Sequence, residues 1–458
     1  MIVLPIIILI VIFICYWFLN DGHFGVVSLL ILTYILKCSA SLVLTQFPLL
    51  QSGKTILFEP MLYLSVCFII IFWGFSGFRD KKFISIKIER IFLYRTLEYF
   101  LVLSGFLSIL FFLPFAATAL RGDISLNRYE MVATGSALAD FGIINSMFSL
   151  TSNLFIIAQV CSFINLIPIN GKRHVYRAYL LLLSSLSFVV YVLAYVGRDG
   201  VVYWLMSYIF CFLLFRKFLM KNDLKKMKRI FAFVIAIIMI PFLMISISRF
   251  SEMDGGTVLG IINYAGQQLQ NFNDHFQIET PLLYGRHTFP IVYDVLNLLG
   301  LGVSAKVDMD LFHSYFLIEG IVPWVFTTFI GNLIYDFGKI WTLLFLCIMS
   351  LTIRILMKKV TRTGILAFSN LLIFILLYQV VYWGVFYFRL YVANYYILSI
   401  ILLCIVFKLV RSSRFSLLYT KVESESSPNN RFIKRLLDCV RKVSAFDKSV
   451  KAGVPHHG

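Results

Sequence analysis

The sequence predicts an all-α, polytopic integral membrane protein with about 11 (10–12) transmembrane helices and one large loop on the outer side. Three observations carry that expectation. Of the 458 residues, 60% are hydrophobic and only 14% are charged, against about 25% charged in an ordinary soluble domain. Apolar runs of about 20 residues, enough to cross a hydrocarbon core about 30 Å thick, recur along most of the chain. The basic residues gather in short segments between those runs. A β-barrel is excluded because its strands would alternate, and these runs are unbroken.

The first run, MIVLPIIILIVIFICYWFLN, has no basic n-region and no small-residue cleavage site. It reads as a retained helix over 2–20 and not as a signal peptide. Further spans are expected at 24–44, 56–78, 96–120, 143–168, 178–196, 201–215, 230–248, 339–357, 364–385 and 391–408. Segments 79–95, 172–177, 216–229, 354–362 and the chain from Lys408 onward hold 31 of the 41 Lys and Arg. They alternate consistently if all are cytoplasmic. The net charge of +18 then follows from the positive-inside rule, and nucleic acid is not an implied partner. The first helix would begin outside, although its flanks are nearly uncharged.

The outer loops are then 45–55, 121–142, 197–200, 249–338 and 386–390. Only 249–338 is large, about 90 residues, and such a loop in a compact protein is usually functional or disordered. Its Tyr, Phe and Trp content argues against disorder. Residues 312–341, FHSYFLIEGIVPWVFTTFIGNLIYDFGKIW, are too apolar for an ordinary loop. They read as a helix dipping into the outer leaflet, with a break near Asp336–Gly338, the alternative being an ordinary span. The chain divides into one transmembrane domain, 1–408, and a basic cytoplasmic tail, 409–458. In the tail, RFIKRLLDCVRKV (431–443) has the pattern of an amphipathic helix lying on anionic membrane lipids, or else of a solvated basic tail. No internal repeat of the kind built into many transporters is visible.

Seven of the eight cysteines fall in expected spans and there is no CxxC, so neither a disulfide framework nor a thiolate metal site is expected. HExxH, GxSxG and P-loop patterns are absent, so no metal, nucleotide or other cofactor is implied. Asp308-Met309-Asp310 resembles a DxD string but lies outside, where nucleotide sugars are absent. Ten basic residues remain: Lys37, inside a span, and Lys54, Arg121, Arg128, Arg198, Arg249, Arg286, Lys306, Lys339 and Arg389, on or near the outer face. Arg121, Arg198, Arg249 and Arg389 border spans, against the usual orientation bias. The planar arginine fork binds phosphate or carboxylate through two parallel hydrogen bonds. Several at one depth suit a lipid-linked phosphate or pyrophosphate. For Arg198 the local alternative is a pair with Asp199, or a turn cap, in a tight hairpin where Gly197 and Gly200 give backbone freedom. Outer acids such as Glu130 and Asp140 are mostly solvated charges, and His275, His287 and His313 are the loop's histidines.

The chain resembles the bacterial oligosaccharide repeat-unit polymerases, the Wzy-type O-antigen polymerases among them. The resemblance rests on the layout of spans around one dominant outer loop, on Gly197-Arg198-Asp199-Gly200 before a span, on Ser248-Arg249-Phe250 where the loop begins, and on FHSYFLIEG followed by TFIGNLIYDFG. Lys339 departs from the small residues frequent at that point in relatives. The resemblance implies a GT-C-like glycosyltransferase architecture in the bacterial inner membrane. It implies transfer of a growing glycan from undecaprenyl pyrophosphate to an incoming lipid-linked repeat unit at the periplasmic face, without metal or nucleotide. It also implies a chain-length-regulating co-polymerase as a partner. On this reading Arg198, Arg249 and Arg286 bind pyrophosphate, while Arg121 and Arg128 serve the second lipid-linked substrate. His313, Glu130 and Asp140 are candidate bases, and Asp336 orders the broken segment. An O-antigen ligase, a lipid-linked oligosaccharide flippase and a membrane scaffold are the competing readings.

Overall fold

The computed structural model describes residues 1–47, 55–121, 124, 126–127, 138, 141–168, 173–250, 256–391, 394–409 and 417–420. Helices, in chain order, are α1 (Val3–Leu19), α2 (Val26–Leu44), α3 (Phe58–Phe75), α4 (Ile91–Ala119), α5 (Gly142–Asn153), α6 (Phe155–Leu166), α7 (Val175–Ser184), α8 (Ser187–Ala194), α9 (Asp199–Phe215), α10 (Lys221–Phe250), α11 (Gly256–Gly266), α12 (Gln268–Phe276), α13 (Pro290–Leu298), α14 (Met309–Ile318), α15 (Thr328–Thr363), α16 (Phe368–Trp383) and α17 (Asn394–Leu409). Among the described residues, three short strands, β1 (Ser85–Ile88), β2 (Ile365–Ala367) and β3 (Leu417–Thr420), interrupt the otherwise all-α architecture.

All eleven stretches expected to span are helical. Seven are long and apolar enough to cross a membrane: Val26–Leu44, Phe58–Lys82, Ile91–Ala119, Val175–Ala194, Asp199–Phe218, Lys221–Ser248 and Thr328–Thr363. The pair α5 and α6, bent by 41°, makes an eighth if it is one broken span. The remaining three, α1, α16 and α17, are apolar helices of 17, 16 and 16 residues, short of the about 20 that a perpendicular crossing requires. The protein is thus a multi-pass membrane protein by its helices. Hydrocarbon supplies no partner for a backbone amide, so a helix is the form an isolated apolar run must take there.

The described parts of the five basic segments converge on one end of the bundle. β1, in the first, pairs in parallel with β2, just past the fourth, and antiparallel with β3, in the tail. Arg95 and Arg177 both reach the buried carboxylate of Glu98, at 3.0 and 3.2 Å, which joins the first and second segments. Arg173 pairs with Asp223, joining the second and third, and Lys217 donates to the Asp80 carbonyl, joining the third back to the first. The turn after α1 lies at this end too. Lys81 meets Asp21 at 3.2 Å, and the Tyr16 hydroxyl donates to the Phe78 carbonyl at 2.9 Å. Tertiary contact therefore fixes the direction that the uncharged flanks of α1 left weak.

At the opposite end the large loop folds onto the helices. α11 presses on α2 so closely that a Cβ on Gly266 would lie 2.6 Å from the Ala40 carbonyl oxygen. The loop has its own small core of Leu283, Phe312, Phe316, Ile321 and Tyr335. Its expected boundary moves, because α15 begins at Thr328 and not near 339. The expected break is present inside it: Gly338 adopts φ 70° and ψ 176°, outside helical space.

Candidate functional site

The short turn between α8 and α9 delivers Arg198 and Asp199. Its left-handed residue is Val196, at φ 52°, not either glycine. A β-branched side chain is disfavoured there, so the surroundings must hold it. The glycines serve close packing instead: a Cβ on Gly197 or Gly200 would lie 2.6 Å from Val192 side-chain atoms. Arg198 thus sits just ahead of α9, and Asp199 occupies the helix's first turn.

Arg198 is buried, with only 4% of its surface exposed. Its Nη1 donates to the Ser246 hydroxyl at 3.0 Å. The guanidinium carbon lies 4.3 Å from the ring centroids of both Phe250 and Tyr264. Two aromatic faces and one hydroxyl hold the fork in place and take up much of its hydration shell. The pairing half of the local alternative is not what forms: Asp199 turns to Arg389 and not to Arg198. Its carboxylate meets Arg389 Nε at 3.0 Å and accepts from the Tyr387 hydroxyl at 3.4 Å.

Lys37 joins them from α2. Its Nζ stands 3.7 Å above the Phe386 ring and donates to the Ala265 carbonyl at 3.4 Å. Lys37, Arg198 and Asp199 line one cavity of about 160 Å³, walled by Tyr203, Phe250, Tyr264, Phe326, Phe386 and Tyr387. Two cations face a mostly apolar space, and charge acts more strongly there than in water. The arrangement can hold an anion.

The segment 384–389 ties this cavity to a second polar cluster. Backbone amides of Thr328 and Phe329 donate to the carbonyls of Phe386 and Gly384, at 2.9 and 2.8 Å. Thr328 is itself left-handed, at φ 67°. The Phe388 amide donates to Asn332 Oδ1 at 2.8 Å. The Asn332 amide nitrogen then faces His287 Nε2 at 3.2 Å, so that nitrogen accepts and the ring is neutral with its proton on Nδ1. Burial lowers the proton affinity of His287, and the Asp336 carboxylate partly offsets this.

Asp336 is fully buried. Its carboxylate accepts from the His287 amide at 3.1 Å, from the Thr288 amide at 2.7 Å and from the Thr288 hydroxyl. It ties the loop at His287 and Thr288 to the broken helix. His275 donates from Nε2 to the Val322 carbonyl at 3.0 Å, so Nδ1 accepts from the Tyr335 hydroxyl. Burial pulls the His275 pKa down to about 4.

Of the expected site residues, Arg198 and Asp199 line the cavity. Arg286 lies apart in the loop, donating to the Ser304 carbonyl at 3.2 Å with its guanidinium 5.1 Å from the Tyr293 ring centroid. His313 also lies in the loop, half-buried, with Trp324 edge-on at 5.8 Å. Burial lowers its pKa against the pull of Asp310. Arg121 is exposed at the end of α4. Arg128, Glu130 and Asp140 lie outside the described residues, as do the amphipathic segment 431–443 and the side chain of Arg249. Arg249 belongs to α10, next to the cavity-lining Phe250. Sequence reasoning noticed Lys37 but gave it no role. It is the only Lys, Arg, Asp or Glu between residues 24 and 44, and that was the signal. Among the described residues, no three His, Cys, Asp or Glu side chains converge to hold a metal ion.

No family model matches the chain, and no curated protein or solved structure matches it either.

Proposed function

We propose that this protein is a glycosyltransferase of the bacterial inner membrane that polymerises lipid-linked oligosaccharide repeat units. In this reading all eleven apolar helical stretches cross the bilayer in a GT-C-like arrangement. The basic end faces the cytoplasm by the positive-inside rule, and the cavity faces the periplasm. One observation carries the reading: Lys37 from α2 and Arg198 from the turn ahead of α9 share an aromatic-walled cavity at the end opposite the basic segments. Cations at that depth meet the headgroup of a lipid whose chain stays in the bilayer.

In the reaction, a hydroxyl of the incoming repeat unit attacks the anomeric carbon of the growing glycan. The bond from that carbon to the undecaprenyl pyrophosphate oxygen breaks, and its electron pair leaves with the pyrophosphate. Arg198 and Lys37 stabilise the negative charge that builds there, and charges fixed before reaction are often the largest catalytic contribution. The hydroxyl proton passes to a base, for which His313, Glu130 and Asp140 are the candidates. Arg249 assists on the donor side, and Arg121 and Arg128 on the acceptor side; Arg286, apart in the loop on the Ser304 carbonyl, takes no part at the cavity. The site needs no metal or nucleotide in this scheme, and a chain-length-regulating co-polymerase is the expected partner.

The test is the surface-glycan length distribution in cells lacking the protein, complemented with wild type or Arg198→Ala at equal protein level. Loss of the ladder, with a single repeat unit still attached to its acceptor, is the expected result for Arg198→Ala. An unchanged ladder removes Arg198 from the site. Lipid-linked units trapped inside the deletion strain would mean a flippase. Lipid-linked polymer accumulating unattached outside would mean a ligase.

A further inference from the structure

We infer that Lys37 gives this site its preference for a diphosphate over a monophosphate headgroup. The inference rests on the lipid-linked reading above and assigns a specificity-determining residue within it.

A lone cation in an apolar span is costly and is retained where it faces a cavity or a partner. Lys37 is the only charged residue between positions 24 and 44, and it faces the cavity. An ammonium has three N–H donors. One is directed at the Ala265 carbonyl, and the Phe386 ring lies 3.7 Å from Nζ. Among the described residues, no carboxylate forms an ion pair with it. The nearest acid in the lining, Asp199, is turned to Arg389. It therefore neither neutralises Lys37 nor repels an incoming anion strongly.

The two cations differ in kind. Arg198 is a planar fork held by Ser246 between two rings, and it suits bidentate contact with one phosphoryl group. Lys37 is a compact point charge on a flexible stem from another helix. One phosphoryl group on Arg198 leaves Lys37 for a second. A monophosphate satisfies the fork alone, while a diphosphate engages both cations, with little water to screen them.

The full chain, purified in detergent, is titrated by microscale thermophoresis with undecaprenyl diphosphate, undecaprenyl monophosphate and inorganic pyrophosphate. Wild type is compared with Lys37→Met, Lys37→Arg and Arg198→Met, each checked for a monodisperse size-exclusion profile. Wild type is expected to bind the diphosphate lipid at least about tenfold more tightly than the monophosphate, the scale of one charge-assisted contact. Lys37→Met should abolish that preference by weakening the diphosphate lipid alone, Lys37→Arg should keep it, and Arg198→Met should weaken both lipids. Pyrophosphate binding with the same dependence on Lys37 supports a site that reads the headgroup. Loss of pyrophosphate binding with the lipid preference kept in wild type supports a site that also needs the chain. If Lys37→Met weakens both lipids equally, or neither, the inference fails while the polymerase reading stands. If wild type binds neither lipid, both fail.

Discussion

Asp199 and Asp336 are two acids at the same end of the bundle, and their surroundings give them different work. Asp199 neutralises Arg389 beside the cavity, while Asp336 accepts three hydrogen bonds that seat the loop. Asp336→Asn keeps the shape but turns an N–H₂ towards donors. It should destabilise the protein by about 2 kcal/mol, the scale of a hydrogen bond to a charged group, read as a lower melting temperature by fluorescence-detected size exclusion. On the proposed polymerase reading, a lost glycan ladder at unchanged stability would instead mark Asp336 as chemical. The histidines set a pH dependence. His275 is held at about 4, below the ordinary value of about 6.5. Between those values the unfolded chain binds more protons than the folded one, so stability rises with pH across that window. His287 and His313 are shifted in the same direction. The melting temperature should fall as the pH drops from about 6.5 towards 4, and His275→Gln should make the fall shallower.

Among elements, α15 shows how far a sequence can be read. The break at Gly338 was legible because polar residues and two glycines interrupt an apolar run. The start of the helix at Thr328 was not, because it depends on amides of Thr328 and Phe329 meeting carbonyls from another segment, at Phe386 and Gly384. The strands were hidden for a related reason. SIKI, ILA and LLYT are too short to show alternation, and they pair across long separations. In the site, Arg198 stood out by violating the orientation bias. Phe250 and Tyr264, which hold it, are ordinary aromatics until the loop brings them together. The break itself is testable. Gly338→Ala places a Cβ at φ 70° and 3.3 Å from Leu282 Cδ2. A cost of about 1–2 kcal/mol is expected from the strained backbone, seen as a lower melting temperature with the loop more open to limited proteolysis.

At the scale of the whole molecule, charge and contact give the same polarity. Segments assigned to one side by their Lys and Arg content are joined there by a sheet and by half-buried ion pairs. Labelling should report that polarity. In a background with the native cysteines replaced, Glu319→Cys should react with a membrane-impermeant maleimide on intact spheroplasts. Lys359→Cys should react only after the membrane is opened. Both positions are exposed, so the reverse pattern would invert the proposed topology and overturn the periplasmic placement proposed for the cavity.

The order of strands, β2-β1-β3, also sets a schedule for synthesis. β1 is made first, yet both its neighbours come from far later in the chain, at Ile365 and Leu417. At a translation rate of about 10 residues per second, β1 waits roughly half a minute for its last partner. Throughout that interval β1 carries an open strand edge, the feature that invites mispairing with other chains. Every helix among the described residues is already made when β3 emerges, so closing the sheet is a late act of biogenesis. A chain released early, before residue 417, keeps that edge and with it a mark by which quality control can recognise an unfinished protein.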